Sequence, residues 1–240
     1  ELSTDISVTR IGMGGAPLGG LDSKTARDTL EYAYAQGIRY FDTAPLYGSG
    51  LSEIHNGGFL STLKRTDFVL SSKVGRLIIP EQDIPFNYTK EGILRSIDES
   101  LTRLNLDSID IVLIHDPDDH YSSALNEAFP TLAKLREEGV IKAIGAGMNQ
   151  WEMLRRFAED GDFDCFLVAG RYTLLDHSAL QELMPLCLEK DISLILGGPY
   201  NSGILASDLD TKSTYFYNPS PLEVIEKAKI DRDPSFLVHA

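Results

Sequence analysis

An acid, a phenol, an ammonium and an imidazole stand near the ends of three short apolar runs in this chain. Phe41-Asp-Thr-Ala-Pro-Leu-Tyr-Gly48 supplies Asp42 and Tyr47, Val69-Leu-Ser-Ser-Lys73 supplies Lys73, and Ile111-Val-Leu-Ile-His115 supplies His115. A free tyrosine has a pKa of ~10, too high for efficient proton transfer at neutral pH. A neighbouring ammonium favours the phenolate and lowers that value. Asp42 would keep Lys73 charged and oriented, and His115 would place the reacting oxygen against Tyr47. The four together suit reversible proton transfer at a carbonyl or alcohol oxygen, coupled to hydride transfer. Singly, each has a plainer role: a strand-end lysine is usually a solvated cation, a loop tyrosine packing, a lone histidine a satisfied structural imidazole. Order and shared placement carry the reading.

The elements that must position these groups are short β-branched runs alternating with amphipathic helical stretches. Strands are expected over Val8–Gly14, Arg39–Thr43, Phe68–Val74, Asp110–His115, Lys142–Gly147, Cys165–Ala169 and Ser193–Gly197. Helical spacing marks Thr89–Asn105, with Thr89 as its cap, then Ser122–Glu138, His177–Lys190 and Pro221–Lys229. Parallel strands need long crossovers, so this rhythm implies βα units around a parallel sheet. Gly12-Met-Gly-Gly15 lacks the GxGxxG spacing, which favours an α/β fold of the (β/α)₈ TIM-barrel type over a doubly wound sheet. In such barrels the chemistry sits at the C-terminal ends of the strands, where Asp42, Lys73 and His115 fall. Seven strands are readable and the eighth is not. The expectation is one domain over residues 1–240, incomplete after about 229, with omitted residues near Pro80–Glu81 and Lys229–Asp231.

The 240 residues carry 22 basic and 36 acidic side chains, a formal net charge of −14. That surface repels phosphodiester backbones, so nucleic acid is not an expected partner. No apolar stretch is long enough to span a bilayer, and there is no signal-peptide pattern; a cytoplasmic location is expected. Cys165 and Cys187 lack metal or redox spacing and read as small core residues. Asp116-Pro-Asp-Asp-His120 has the residue types of a metal site, but its acids are sequential in one loop and Pro117 prevents a shared helical face. No metal is expected. The loop fits better as a rim for a polyhydroxylated substrate, with Asp119 and His120 as candidate hydroxyl contacts and Arg171 near the site. Trp151 reads as core packing, Tyr172 follows strand six near the site and reads equally as wall packing, and His55, His177 and His239 have no nameable partner.

The segments FDTAPLYGSGLSE, VLSSKVGR, SLTRLNLDSIDIVLIHD, IKAIGAGMNQ and GGPYNSGIL together resemble the aldo-keto reductase superfamily, from about Val8 to Lys229. The resemblance implies a (β/α)₈ barrel that binds NAD or NADP in an extended pose. It implies Asp42, Tyr47, Lys73 and His115 as a catalytic tetrad, with Tyr47 as general acid/base. By the same matching, Asn149 would bind the nicotinamide carboxamide, and Asn201, Ser202 and Gly203 would follow the pyrophosphate. Two positions depart from the usual pattern: Ala169 replaces a strand-six glutamine, and Gly197 replaces the tyrosine that stacks on the nicotinamide. AGRYTLLD and GGPYNSG resemble the aldose 1-dehydrogenase branch, which includes pyridoxal dehydrogenases. The implied activity is oxidation of a sugar at C1 to its lactone by a monomer or weak homo-oligomer. The alternatives are a general aldehyde or ketone reductase, or a cofactor-binding barrel without turnover.

Overall fold

A computed structural model describes residues 6–78, 85–209, 213–216 and 218–231. Seven parallel strands pair in chain order: β1 Met13–Gly14, β2 Tyr40–Asp42, β3 Val69–Val74, β4 Ile111–His115, β5 Ala143–Met148, β6 Cys165–Ala169 and β7 Ser193–Gly197. Among the described residues no strand joins β7 to β1. The architecture is a (β/α)₈ barrel one strand short of closure. A separate antiparallel hairpin, β8 Thr214–Tyr215 with β9 Asn218–Pro219, follows β7.

Strand periodicity decides which side chains reach the barrel interior. Tyr40, Ile111, Leu113, Ala143, Cys165 and Leu167 form one buried cluster, while Phe41, Val112, Ile114, Ile144, Phe166 and Val168 join the larger cluster under the helices. The two sets alternate residue by residue, as the two-residue pleat requires. Continuing the inner set to each strand's C-terminal end reaches Asp42, Lys73 and His115, then Gly147, Ala169 and Gly197. Three inward polar groups are therefore followed around the rim by three inward small residues.

The outer layer follows from helical spacing and caps. Helix Lys90–Leu104 starts where the Thr89 hydroxyl accepts the Gly92 N–H, buries Ile93, Ile97 and Leu104, and ends at left-handed Asn105. Each such fully buried aliphatic side chain contributes about 1.5–3 kcal/mol relative to exposure.

Three expectations are corrected. Only Met13–Gly14 of Val8–Gly14 pairs as a strand. Upstream, the Thr9 hydroxyl accepts the Arg39 N–H and donates to Ile11 O, side-chain bonds that displace the ladder. Ser122–Glu138 is not one regular helix: Ala124–Ala128 is a π turn ahead of helix Phe129–Glu137. Pro130 has no N–H for the i→i−4 bond to Asn126, and the wider turn absorbs the gap. His177–Lys190 splits into a 3₁₀ turn, Ser178–Leu180, and helix Leu183–Glu189. Pro185 has no N–H to bond Gln181 O, so it sits in the first turn of the second helix, where that donor is not needed. Helix Leu222–Asp231 spans the Lys229–Asp231 stretch, while Pro80–Glu81 and His239 lie outside the described residues.

Cys165 and Cys187 are free and buried. Burial pushes the Cys187 thiol up to about 12 and the Cys165 thiol higher, which leaves both unreactive core residues.

Candidate active site

The four sequence-predicted side chains meet at the C-terminal ends of β2, β3 and β4. Lys73 Nζ donates to both Asp42 carboxylate oxygens, at 2.9 and 2.8 Å, and to Thr43 O at 2.9 Å. The Ser71 hydroxyl donates to Asp42 Oδ1 at 2.7 Å and lies 2.9 Å from the Tyr40 hydroxyl, so two side chains of β3 hold the acid. The Lys73 ammonium also lies 4.6 Å from the centre of the Tyr47 ring, close enough for the phenol to act on its charge. The Tyr47 and His115 rings meet edge to face, 5.9 Å between centroids.

Burial sets the charges here. Desolvation alone would lower the Lys73 pKa, but the Asp42 carboxylate and the Tyr47 phenol outweigh it and raise it above the ordinary lysine value. Lys73 is therefore an ammonium at neutral pH. Burial, aided by the positive charges of Lys73 and Arg76, holds His115 well below the usual imidazole value. His115 is therefore neutral, with one ring N–H to donate.

Tyr47 owes its place to a contact that only glycine permits. The turn Pro17–Gly20 passes so close to the Tyr47–Gly48 loop that a Cβ at Gly48 would fall 2.2 Å from Gly19 O, and one at Gly19 would fall 2.5 Å from Gly48 N. Gly48 also has φ +61°, where an L side chain is strained. Ser52 completes the anchorage by donating its backbone N–H to Tyr47 O and its hydroxyl to Gly15 O.

The predicted cofactor contacts lie around the opposite part of the rim. Asn149, just past β5, donates to Ala169 O at 3.0 Å. Asn201 is buried and donates to Gly170 O at 3.3 Å, while its side-chain oxygen has no hydrogen-bond partner. Gly198, Asn201, Ser202 and Gly203 all have positive φ. A Cβ at Gly203 would meet nothing within 4 Å, and one at Gly198 only Gly170 N at 3.9 Å. An unmet buried acceptor beside open space at Gly198 and Gly203, next to small inward residues at Gly147, Ala169 and Gly197, fits an extended nicotinamide dinucleotide.

Asp119 and His120 line a cavity of about 240 Å³ together with Arg76, Phe86, Asp116 and Asn149. That is smaller than the roughly 300–1,000 Å³ of sites for drug-sized ligands and suits a small metabolite. Arg76 pairs with Asp116, whose carboxylate lies 3.7 Å from His115 Nε2. Burial raises the Asp116 pKa, and Arg76 opposes the shift. Arg171 is not among the cavity residues: it binds Asn149 O at 3.1 Å and Asp176 at 3.0 Å and lies over the Phe216 ring. Arg76 and Asp116 were legible only as neighbours of motif residues, three after Lys73 and one after His115. His55 gains a partner, 3.0 Å from Leu18 O. Among the described residues no group of three or more His, Cys, Asp or Glu could hold a metal ion, and no helix is long and apolar enough to cross a membrane.

Comparison with known proteins agrees with this geometry. The profile of the Aldo/keto reductase family matches residues 10–227. The chain is 39% identical to a D-threo-aldose 1-dehydrogenase from a Pseudomonas species, over 92% of this chain and 75% of that one. It is 36% identical to a pyridoxal 4-dehydrogenase from Microbacterium luteolum, over 93% and 76%. An aldo-keto reductase from Bacillus halodurans, solved in its holo form, superposes with a TM-score of 0.77 at 27% identity, covering 90% of this chain and 72% of that one. With the profile match, the relatives and the barrel in agreement, the chain belongs to the aldo/keto reductase family of NAD(P)-dependent oxidoreductases.

Proposed function

We propose that this protein oxidises an aldose at C1 to its lactone, with Tyr47 as the general acid/base. The observation that carries the reading is Lys73 Nζ, held by both oxygens of Asp42 and only 4.6 Å from the centre of the Tyr47 ring. A buried ammonium beside the phenol stabilises the phenolate, the form that accepts the C1 hydroxyl proton. Asp42 prevents that ammonium from standing uncompensated in the interior, at a site where breaking one partner of a buried pair costs about 3–5 kcal/mol. Neutral His115 donates its ring N–H to the same oxygen and aligns it with Tyr47.

Asn149, Gly197, Asn201, Ser202 and Gly203 are the residues that would hold the dinucleotide. When bound, its nicotinamide supplies the hydride acceptor. Asn201 offers its unmet side-chain oxygen, and Gly203 leaves open space beside it, where a Cβ would meet nothing within 4 Å. Asp119 and His120 stand in the cavity beside Asp116, where acceptors and an imidazole can read sugar hydroxyls. The likeness to a D-threo-aldose 1-dehydrogenase supports that substrate class.

A second reading has its own observation. His120 packs against Phe86 and Tyr88, with centroids 4.9 and 5.3 Å away, an aromatic wall that could stack on a flat aldehyde such as pyridoxal. Initial rates with L-fucose, D-arabinose, L-galactose and pyridoxal, each with NAD and NADP, separate the two by the reduced-nicotinamide absorbance. In the same assay Tyr47→Phe is expected to lose about 10²–10⁴-fold in turnover while still binding cofactor. Near-normal turnover of that variant removes Tyr47 from the mechanism.

A further inference from the structure

His115 is oriented in an unusual way. Its Nδ1 is buried with no hydrogen-bond partner, and its Nε2 has only the Asp116 carboxylate at 3.7 Å, beyond hydrogen-bonding reach. A functional imidazole is commonly aimed by the bond its second nitrogen makes. Here the ring must be aimed through its backbone and its packing.

That backbone is gripped from the loop that follows β3. The buried Tyr88 hydroxyl donates to His115 O at 2.6 Å and reaches Asp116 O at 3.1 Å. Asp116 has φ +43°, a left-handed conformation that a non-glycine residue keeps only when its surroundings enforce it. Three contacts enforce it: the Tyr88 hydroxyl, Arg76 on the carboxylate, and Gly147 O accepting the Asp116 N–H at 3.0 Å. Tyr88 is seated in turn against Gly75, whose φ is +96° and where a Cβ would fall 2.1 Å from the Tyr88 ring. Asn87 N–H donating to Gly75 O at 2.8 Å fixes that approach.

We infer that Tyr88 and Arg76 are positioning residues that brace the His115–Asp116 turn and so set the aim of the His115 imidazole at the reacting oxygen. The inference rests on the role given to His115 above. It differs from a packing role because the contact point is a carbonyl one bond from the histidine Cα, on a strand end already buried and paired.

Tyr88→Phe tests it, since the ring stays against Gly75 and only the hydroxyl is lost. With L-fucose or D-arabinose as substrate, kcat is expected to fall about 10–100-fold, the range for slight misplacement of a reacting group. KM and cofactor Kd are expected to stay within about threefold, the pattern of an interaction felt in the transition state. His115→Asn serves as the control, and adding Tyr88→Phe to it should cost nothing further, because the brace would have nothing left to aim. Wild-type kcat in Tyr88→Phe alongside an inactive His115→Asn overturns the brace alone. Near-normal turnover in His115→Asn overturns the reading of His115 instead. A lowered melting temperature with unchanged kcat per folded molecule makes Tyr88 structural and also overturns the inference. Should Tyr88→Phe not fold, Arg76→Gln carries the test. Its kcat should fall and the His115 NMR titration midpoint should rise, because Arg76 no longer disfavours the imidazolium; no change in both rejects the brace.

Discussion

The two halves of the barrel rim use the same inward strand positions for opposite purposes. On β2, β3 and β4 those positions hold Asp42, Lys73 and His115; on β5, β6 and β7 they hold Gly147, Ala169 and Gly197. The first half is crowded and hydrogen-bonded, with Lys73 making three bonds below 3 Å to Asp42 and Thr43. The second half is cleared: a Cβ at Gly147 would meet only ordinary contacts at 3.5–3.7 Å, one of them Lys73 Cε. On the proposed reading the crowded half moves the proton and the cleared half makes room for the nicotinamide. One pleat supplies both, because a strand end can present a charge or a gap at the same register.

The largest expected effect breaks the crowded half. Lys73→Met leaves Asp42 buried without its counter-charge, an arrangement that costs about 3–5 kcal/mol. Turnover should fall by about 10²–10⁴ through loss of phenolate stabilisation. Urea unfolding and initial rates measure the two losses separately. Adding Asp42→Asn should restore much of the stability and none of the turnover. If the double variant regains activity, Lys73 serves the fold alone.

How much of this was legible beforehand depends on the range of the signal. The meeting of Asp42, Lys73 and His115 was readable because each stands at the end of an apolar run, and a strand's parity is carried by its own residues: Ile111 and Leu113 already state where His115 will point. The helix Lys90–Leu104 was readable for the same local reason, its cap and stripe lying within it. The supports of His115 were not readable. Tyr88 reaches His115 O across 27 positions, and nothing in the sequence near Tyr88 announces a partner in β4. Gly19 and Gly48 are likewise two ordinary turn glycines until the fold brings them together. The Ser122–Glu138 stretch differs in another way: its apolar stripe marks a helix, while the missing N–H of Pro130 interrupts the ladder that the stripe implies.

A smaller effect is expected from filling the cleared half. Gly197→Val suits a strand backbone, but its Cβ would lie 2.8 Å from Leu167 Cδ2, and its methyls would take space the nicotinamide needs. NAD(P) affinity should weaken about tenfold, equivalent to ~1.4 kcal/mol, with little change in kcat at saturating cofactor. Calorimetric titration with NAD and NADP measures it. Unaltered affinity for both would mean that the gap on β7 is not where the nicotinamide rests.

The most modest prediction concerns protons and separates His115 from its neighbour Lys73. Burial and the charges of Lys73 and Arg76 depress the folded-state pKa of His115 below its unfolded value of 6.5. Between those two values the unfolded chain binds more protons than the folded one, so stability rises with pH across that window. His115 therefore costs no stability above about pH 6.5, and as pH falls through the window the protein loses at most about 1.4 kcal/mol per pH unit on its account. Lys73 behaves in the reverse sense. Its raised pKa makes its contribution complete below the unfolded lysine value of 10.5, and that contribution fades only as pH climbs through the folded value. Titrating the His115 Cε1 proton by NMR should give a midpoint below 6.5, and His115→Asn should remove its share of the acid slope of unfolding stability. A midpoint above the assay pH would mean that the imidazole is charged when substrate arrives. The crowded half would then hold two cations against Asp42, and Tyr47 would have a competitor as proton donor.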